Sequence, residues 1–495
     1  MLFNALKAVL QPSVFLYNFI GVITGMFIGT LPGLSATMGV ALLTPLTFWL
    51  EPTQGLAMLL GVYNSSIWAG GISAILVNTP GTPASIAQTF DGYKMTQQGK
   101  IGLALGANTI FSVIGGLFST FVLIVAAFPI ARFALRFGPP EYFALAIFGL
   151  SMMISVSGKE VVKGLVIGIL GLIISTIGLD PMFSVQRFTF GNINLMQGVS
   201  FIPIMIGMFG IGEILYQIIE RKKDKRIIKD TKDLGRILPT VEEWKRCAPA
   251  TLISSIISVI IGAIPGTGGD IASIVCWQQA KQISKHPEEF GEGSIEGLAA
   301  ASLANNGVIG GTMTTMMTLG LPGDSVTAIL IGSLMMYGLQ PGPQLFVSNP
   351  DFVYNIMALL IVANLTVLII GLLSAKVSSY ILKVDPEIIW IIVILFCIIG
   401  SYALNNSLFD VVIMLVSGLL GFVFRKLEVP LGPFILALLL GPIAESNFRR
   451  SLALSSGDYS IFVTRPISIV LFILAIISLT YGSIKKAMNK RTIEA

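Results

Sequence analysis

Charge is what this sequence has least of. Asp, Glu, Lys and Arg make up 12% of its 495 residues, about half the share found in soluble globular chains. The charges present are unevenly placed. Residues 8–50, 52–90, 101–131, 188–212, 297–323, 325–350, 352–375 and 388–409 contain none. A chain that is 54% hydrophobic and so poorly charged cannot cover itself with a solvated surface, which excludes a soluble protein. Histidine occurs once, as His286 in the polar segment Lys285-His286-Pro287-Glu288-Glu289, and reads as a solvated loop residue. The three cysteines, Cys247, Cys276 and Cys397, stand singly in apolar surroundings and read as small packing residues. Such scattered ligands argue against a transition-metal site and a redox pair. No Gly-x-x-x-x-Gly-Lys-Ser/Thr loop occurs, which argues against an ATP-driven pump. Short alternating strands are also missing, so a membrane β-barrel is excluded.

Long apolar runs are what the chain has instead. About 20 apolar residues span the hydrocarbon as a helix, and several runs exceed that length, so some hold a helical hairpin. The pattern predicts an all-α polytopic membrane protein. Helical segments are expected at 14–31, 35–50, 55–78, 101–127, 140–157, 161–178, 199–219, 247–264, 269–283, 296–320, 324–338, 353–373, 387–404, 408–424, 430–443 and 464–483. Some are too short to cross alone, which leaves about 11–14 spans plus broken or re-entrant pieces. The N-terminus has one Lys and no small-residue cleavage pattern before its first span, so no cleavable signal is expected.

The segment 220–246 carries ten basic residues: Arg221, Lys222, Lys223, Lys225, Arg226, Lys229, Lys232, Arg236, Lys245 and Arg246. The positive-inside rule places it in the cytoplasm, and Lys485, Lys486, Lys490 and Arg491 place the C-terminal tail there too. The net charge of +5 therefore reflects topology rather than nucleic-acid binding. The expected division is a first transmembrane repeat at 1–219, a basic linker at 220–246, a second repeat at 247–463, and a C-terminal helix and tail at 464–495.

Each half repeats one order of features. Pro32-Gly33 corresponds to Pro265-Gly266. Asn64 lies 16 residues before Pro80-Gly81, and Asn306 lies 16 residues before Pro322-Gly323. Gly70-Gly71 and Gly310-Gly311 fall between. Pro removes a backbone donor and Gly permits chain reversal. Together they free polar backbone that survives at membrane depth only inside protein or along a watered cavity. Discontinuous helices at matching places in two repeats point to a midplane substrate site, and half-helix N-termini suit an anion.

The expected substrate-binding residues are Pro32, Gly33, Ser35, Thr37, Asn64, Asn78, Thr79, Pro80, Gly81, Thr82, Ser85, Pro265, Gly266, Thr267, Gly268, Asn305, Asn306, Pro322, Gly323 and Ser325. They are small, hydroxylated or amide-bearing. Small residues also let membrane helices pack closely, so packing is the competing explanation for each Ser and Thr. Asp270 and Asp324 stand where the first half has the neutral Thr37 and Thr82. An ionised group at depth is functional by default, so both are candidates for holding a driving cation, Na+ or H+, with a Na+ site near Asp270. The competing role is an N-terminal helix cap. Glu213 is expected near a membrane end, and Lys94 in a loop after Asp91-Gly92-Tyr93. Exact inversion of the repeats would set both termini outside, against the basic tail, unless a non-repeated helix such as 464–483 intervenes.

Other activities fit less well. An intramembrane aspartyl protease needs Gly-x-Gly-Asp and a second paired aspartate; position 267 is Thr, so that motif fails and no enzyme is expected. A channel would need no driving gradient.

At these motifs the chain resembles the large transmembrane subunit, the TctA family, of the tripartite tricarboxylate transporters. The matching stretches include Leu31-Pro32-Gly33-Leu34-Ser35-Ala36-Thr37, Val77-Asn78-Thr79-Pro80-Gly81-Thr82-Pro83, Pro265-Gly266-Thr267-Gly268-Gly269-Asp270, Gly293-Ser294-Ile295-Glu296-Gly297, Ala304-Asn305-Asn306 and Gly338-Leu339-Gln340-Pro341-Gly342-Pro343. They run through both halves. The resemblance implies a permease of a bacterial or archaeal cytoplasmic membrane, importing tri- or dicarboxylates such as citrate by secondary active symport. It implies as partners a small transmembrane subunit (TctB-like) and an extracytoplasmic solute-binding protein (TctC-like), and no cofactor beyond the coupling cation. Family members often have small residues where this chain has Asp324. A stand-alone carboxylate symporter or antiporter is the alternative.

Overall fold

The protein is described here by a computed structural model covering residues 1–156, 161–180, 182–220, 234–376, 378–382 and 386–494. For residues 153, 155, 156, 379, 386, 389 and 481–494 only the backbone is described. Arg221, Lys222, Lys223, Lys225, Arg226, Lys229 and Lys232 of the linker lie outside the described residues, as do the side chains of Lys485, Lys486, Lys490 and Arg491.

Helices account for most of the described residues. In the first half they are α1 (Leu2–Val9), α2 (Pro12–Thr30), α3 (Ala36–Thr47), α4 (Pro52–Val77), α5 (Ile86–Gln97), α6 (Ile101–Ala134), α7 (Pro139–Val156), α8 (Val161–Ser175), α9 (Phe201–Ile206) and α10 (Gly212–Glu220). A π-turn at Gly207–Ile211 joins α9 to α10. The second half holds α11 (Val241–Ala263), α12 (Gly268–Ile283), α13 (Ile295–Leu319), α14 (Ser325–Met336), α15 (Pro343–Ser348) and α16 (Pro350–Ser374). It ends with α17 (Ser378–Ile381), α18 (Pro386–Asn405), α19 (Leu408–Lys426), α20 (Gly432–Leu454), α21 (Ile461–Thr464) and α22 (Pro466–Glu494). Among the described residues, strand is confined to β1 (Gly178–Leu179) and β2 (Gln186–Arg187), paired antiparallel.

Local chemistry sets the helix ends. Proline opens α2, α4, α15 and α16, where its missing N–H costs nothing. Thr240 and Glu243 form a reciprocal capping box at α11. Asn78 and Gly320, both left-handed, end α4 and α13.

Among the described residues, seven helices, counting α9–α10 as one, are long and apolar enough to cross a membrane, and five further apolar helices are shorter. This is a polytopic helical membrane protein. The helix α13 is not among those twelve, although it has 25 residues. It carries Asn305, Asn306 and four threonines, and every residue from Ile295 to Thr318 is buried. Its polar groups face protein rather than lipid, so it needs no apolar exterior. The helix α4 is enclosed in the same way from Gly55 to Leu76.

These two helices form the centre. The helices α2, α3, α5, α6 and α16 pack around α4, and α6, α11 and α12 pack around α13. A second group, α7, α8, α20 and α22, packs mainly within itself, and α19 packs along the α9–α10 span.

Several boundaries depart from the apolar pattern. Residues 86–97 form a helix rather than a loop, so Lys94 is helical. That helix carries Gln88, Asp91 and Thr96 on its buried side, so no apolar stripe marks it. The short α1 and α15 are likewise absent from the pattern. The helix α11 begins at Val241 inside the charged linker, α6 continues to Ala134, and α20 runs on to Leu454 through Arg449 and Arg450. In each case the helix extends past the apolar run into residues that reach water or ion pairs.

Candidate functional site

The centre is built from two helix pairs. Gly21, Gly25 and Gly29 of α2 lie against Met58, Val62 and Ser66 of α4 in turn, so these helices are parallel. Arg246 pairs with Glu296, and Gly262 lies against Val308, so α11 and α13 are parallel too. The pairs meet where α4 crosses α13: Tyr63 Oη is 3.1 Å from Thr312 Oγ1, Asn306 Nδ2 donates to Asn64 Oδ1 at 2.7 Å, and Asn305 Nδ2 donates to the Ile67 carbonyl at 3.0 Å. One number rises as the other falls, so α4 and α13 run antiparallel.

The breaks surround this crossing. In the first, Ser35 caps α3 by accepting from Met38 N at 3.1 Å, and Thr37 is half-buried in its first turn. Pro32 and Gly33 form the preceding turn, and the Gly33 carbonyl accepts from Gln217 Nε2. Gln217 also donates to Glu213 at 2.9 Å and accepts from Trp390 Nε1 at 3.0 Å. Glu213 is buried and paired with Arg425 at 2.6 Å.

In the second break, Asn78 is exposed and Thr79 Oγ1 donates to the Val77 carbonyl at 3.3 Å. After Pro80 the chain folds back so that Gly81 N donates to the Gly70 carbonyl at 3.1 Å. A Cβ on Gly81 would lie 1.9 Å from the Gly29 carbonyl oxygen; only glycine fits this approach. Thr82 Oγ1 and Ser85 Oγ are 2.9 Å apart.

The third and fourth breaks touch directly. Gly266, after Pro265, donates its N–H to the Gly323 carbonyl at 2.7 Å. Thr267 Oγ1 donates to the Ile264 carbonyl at 2.8 Å, closing the end of α11, and Gly268 opens α12. Asp270 follows in the first turn, exposed, with its carboxylate on the backbone N–H groups at the start of α12 and no hydrogen bond to another side chain among the described residues. Past Pro322, Asp324 caps α14: its Oδ1 accepts from Thr327 N at 2.8 Å and Thr327 Oγ1 at 2.7 Å. Its Oδ2 accepts from Tyr63 Oη at 2.6 Å. Ser325 is half-buried beside it. Both Asp324 oxygens are therefore engaged by the protein, in the capping role.

The expected residues divide accordingly. Asn64, Ser85, Thr82, Asn305, Asn306, Gly266, Gly323 and Asp324 lie around the crossing. Among the described residues no hydrogen bond joins Pro32-Gly33 to the other breaks. Asn64 Nδ2, Asn305 Oδ1, Asn306 Oδ1 and Gln88 Oε1 are buried without a hydrogen-bond partner among the described residues. No Lys, Arg or His is buried among the described residues, and no cluster of three or more His, Cys, Asp or Glu side chains is found among them. The cysteines are free and buried.

Sequence reasoning alone did not reach Tyr63, Gln88, Gln217 or Thr312, which look like ordinary helix residues until α4, α5, α10 and α13 are brought together. Asp91 had one signal, its place in Asp91-Gly92-Tyr93, but not its role. Asp91 Oδ1 accepts from Gly291 N at 2.8 Å, Gly293 N at 3.1 Å and Ser294 N at 2.8 Å, and its Oδ2 accepts from Trp277 Nε1 at 2.6 Å. It fastens α5 to the turn that opens α13. Lys94 adds an exposed ion pair to Glu292 at 3.3 Å, worth little by itself.

No solved structure matches the chain. An Agrobacterium vitis protein, named only as an uncharacterized 52.8 kDa protein in the TAR-I ttuC' 3' region, is 34% identical over 485 residues, covering 98% of this chain and 96% of its own. A second A. vitis protein, from the TAR-II ttuC' 3' region, is 33% identical over 232 residues, covering 47% of this chain and 96% of its own. The model of the tripartite tricarboxylate transporter TctA family matches residues 15–436. With three Pro-Gly breaks around one buried crossing and a match to the family model over residues 15–436, the chain belongs to the tripartite tricarboxylate transporter TctA family.

Proposed function

We propose that this chain is the permease subunit of a binding-protein-dependent, cation-coupled importer of tri- or dicarboxylates. The observation that carries this reading is the antiparallel crossing of α4 and α13, with its unpartnered amide groups among three helix breaks. Unpaired polar groups at membrane depth are costly unless a ligand or water meets them. Asn64 Nδ2 and the backbone N–H groups opening α12 are donors of the kind a carboxylate takes. The same centre holds two carboxylates, Asp270 and Asp324, and no buried basic side chain among the described residues. An anion entering beside them needs its charge offset, and a co-transported cation supplies that.

The opposed directions of the α2–α4 and α11–α13 pairs support an inverted-repeat reading of 1–219 and 247–463, with the basic linker cytoplasmic. Such a protein sits in the cytoplasmic membrane of a bacterium or archaeon. It works with a small transmembrane subunit and an extracytoplasmic binding protein that delivers the carboxylate. Coupling is to Na+ or H+, with Asp270 the carboxylate left free to respond.

Proteoliposomes holding this chain and the small subunit test the reading by uptake of labelled citrate and dicarboxylates under imposed Na+ or proton gradients. Uptake is expected only with the loaded binding protein added. Full-rate uptake without it would establish the stand-alone transporter instead. Asp270→Asn is expected to weaken the ion dependence; an unchanged dependence would remove Asp270 from the coupling role.

A further inference from the structure

Adjacent residues of α13 face different surroundings. Asn306 turns to Asn64, whereas Asn305 turns to the meeting point of the second and third breaks. Asn305 is fully buried, and its Nδ2 donates to the Ile67 carbonyl at 3.0 Å and to Ser85 Oγ at 3.3 Å. The Ile67 carbonyl can only accept, so it fixes which end of the amide is nitrogen. Its Oδ1 then has no hydrogen-bond partner among the described residues. That oxygen lies under the start of α12, 3.3 Å from where a Cβ on Gly269 would stand, a point that is also 2.9 Å from Ala84 Cβ. The Thr82 and Ser85 hydroxyls are close by, and Asp270 follows Gly269.

The matching place in the other half is closed. Since Asn306 corresponds to Asn64, Asn305 corresponds to Tyr63. Tyr63 puts its own hydroxyl on Asp324 Oδ2 at 2.6 Å, and Thr327 satisfies Oδ1 at 2.8 Å. One place is filled by a tyrosine O–H. The other keeps an unpaired amide oxygen under the helix turn that carries Asp270.

We propose that Asn305 Oδ1, the Thr82 and Ser85 hydroxyl oxygens and the Asp270 carboxylate form a single site for a Na+-sized monovalent cation between the second and third breaks, and that Asp324 is no second site. The groups available are oxygens, the ligands of hard cations. Neutral amide and hydroxyl oxygens can coordinate a metal ion but do not take up a proton, which favours Na+ over H+. One carboxylate among neutral ligands matches a single positive charge. Asp270 also offsets the positive end of α12, which would otherwise repel a cation. This inference rests on the cation-coupled reading above and selects the ion and its ligands.

The test needs no carboxylate substrate. The thermal unfolding midpoint of the purified full chain is titrated with NaCl against choline chloride at constant ionic strength. A ligand that binds only the folded state raises that midpoint with the logarithm of its concentration once this exceeds the dissociation constant, and fitting the rise gives the half-saturating concentration of the native site. Na+ is expected to do so in the unaltered chain. Its half-saturating concentration is expected to rise about tenfold or more in Asn305→Ala and Asp270→Asn, and to stay within about twofold in Asp324→Asn. If Asn305→Ala does not fold, Ser85→Ala, which retains the Asn305–Ile67 bond, is expected to raise it instead.

No Na+-specific stabilisation, an unchanged half-saturation in the folded Asn305 or Ser85 variant and in Asp270→Asn, or an equal loss in Asp324→Asn would overturn the proposal. So would stabilisation by lowered pH in place of Na+. The two readings fail separately. A chain that binds Na+ here but takes up no carboxylate keeps the site and loses the transport reading. An importer whose Asn305→Ala form retains its Na+ half-saturation keeps the transport reading and loses the site.

Discussion

Asn306 of α13 donates from one Nδ2 to both the side-chain Oδ1 of Asn64, at 2.7 Å, and its backbone carbonyl, at 3.0 Å. The two residues are 242 positions apart, yet each stands 16 residues before a Pro-Gly pair. Replacing Asn306 by Ala leaves the buried Oδ1 of Asn64 unpaired and its backbone carbonyl with only its helical bond. A loss of about 1–3 kcal/mol in stability is expected, read from thermal or denaturant unfolding in detergent. Asn64→Ala with Asn306→Ala should cost less than the sum of the single changes, because the side-chain bond is then already gone and the second change removes only the bond to the residue 64 carbonyl. Strict additivity would show the contact to be incidental.

Asp91 ties α5 of the first half to the turn that starts α13. Asn in its place presents an N–H toward a neighbouring donor, either Trp277 Nε1 or the backbone amides of Gly291, Gly293 and Ser294. Asp91→Asn is expected to cost about 1–3 kcal/mol. Gly297→Ala should disturb the same place, since its Cβ would come 2.2 Å from Asp91 Oδ2. Both changes are checked by unfolding midpoints and by the susceptibility of the 284–294 turn to protease.

Tyr63 and Asp324 separate a cap from a cross-helix bond. Tyr63→Phe leaves the Thr327 cap intact and removes the 2.6 Å bond to Oδ2; about 1.5–3 kcal/mol is expected for a bond to a charged acceptor. Asp324→Asn keeps a good capping residue, whereas Asp324→Ala should cost a further ~1 kcal/mol from the cap. Unfolding free energies of the three variants decide it; an Asn variant as weak as the Ala variant would show that the cap contributes nothing.

Asp180, in the turn between β1 and β2, anchors the short hairpin to α20. Its carboxyl is held below the usual carboxylate range by the backbone N–H groups of Phe183 and Met182, then by Arg449 and Arg187. A lowered folded-state pKa means stability that is present above the unfolded-state value and lost as pH falls through the folded-state value. The gap in unfolding midpoint between the unaltered chain and Asp180→Asn should therefore be largest near neutral pH. It should narrow as pH falls below about 4. A gap that does not change with pH would assign Asp180 a purely steric role.

Much of this protein follows from its order of residues. Charge-free runs dictate membrane helices because lipid leaves no other backbone arrangement satisfied. Pro-Gly pairs dictate where those helices break, and the breaks fall at Pro32-Gly33, Pro80-Gly81, Pro265-Gly266 and Pro322-Gly323. The tertiary structure decided what local pattern cannot encode. The helix α5 carries polar groups whose partners lie some 200 residues away, so no periodicity marks it. Asp270 and Asp324 look alike in sequence, each an acid just after a break. Only the crossing of α4 over α13 sets Tyr63 against Asp324 and leaves Asp270 without a side-chain partner among the described residues. Which carboxylate is satisfied depends on what another helix brings to it, and that is a property of packing rather than of spacing.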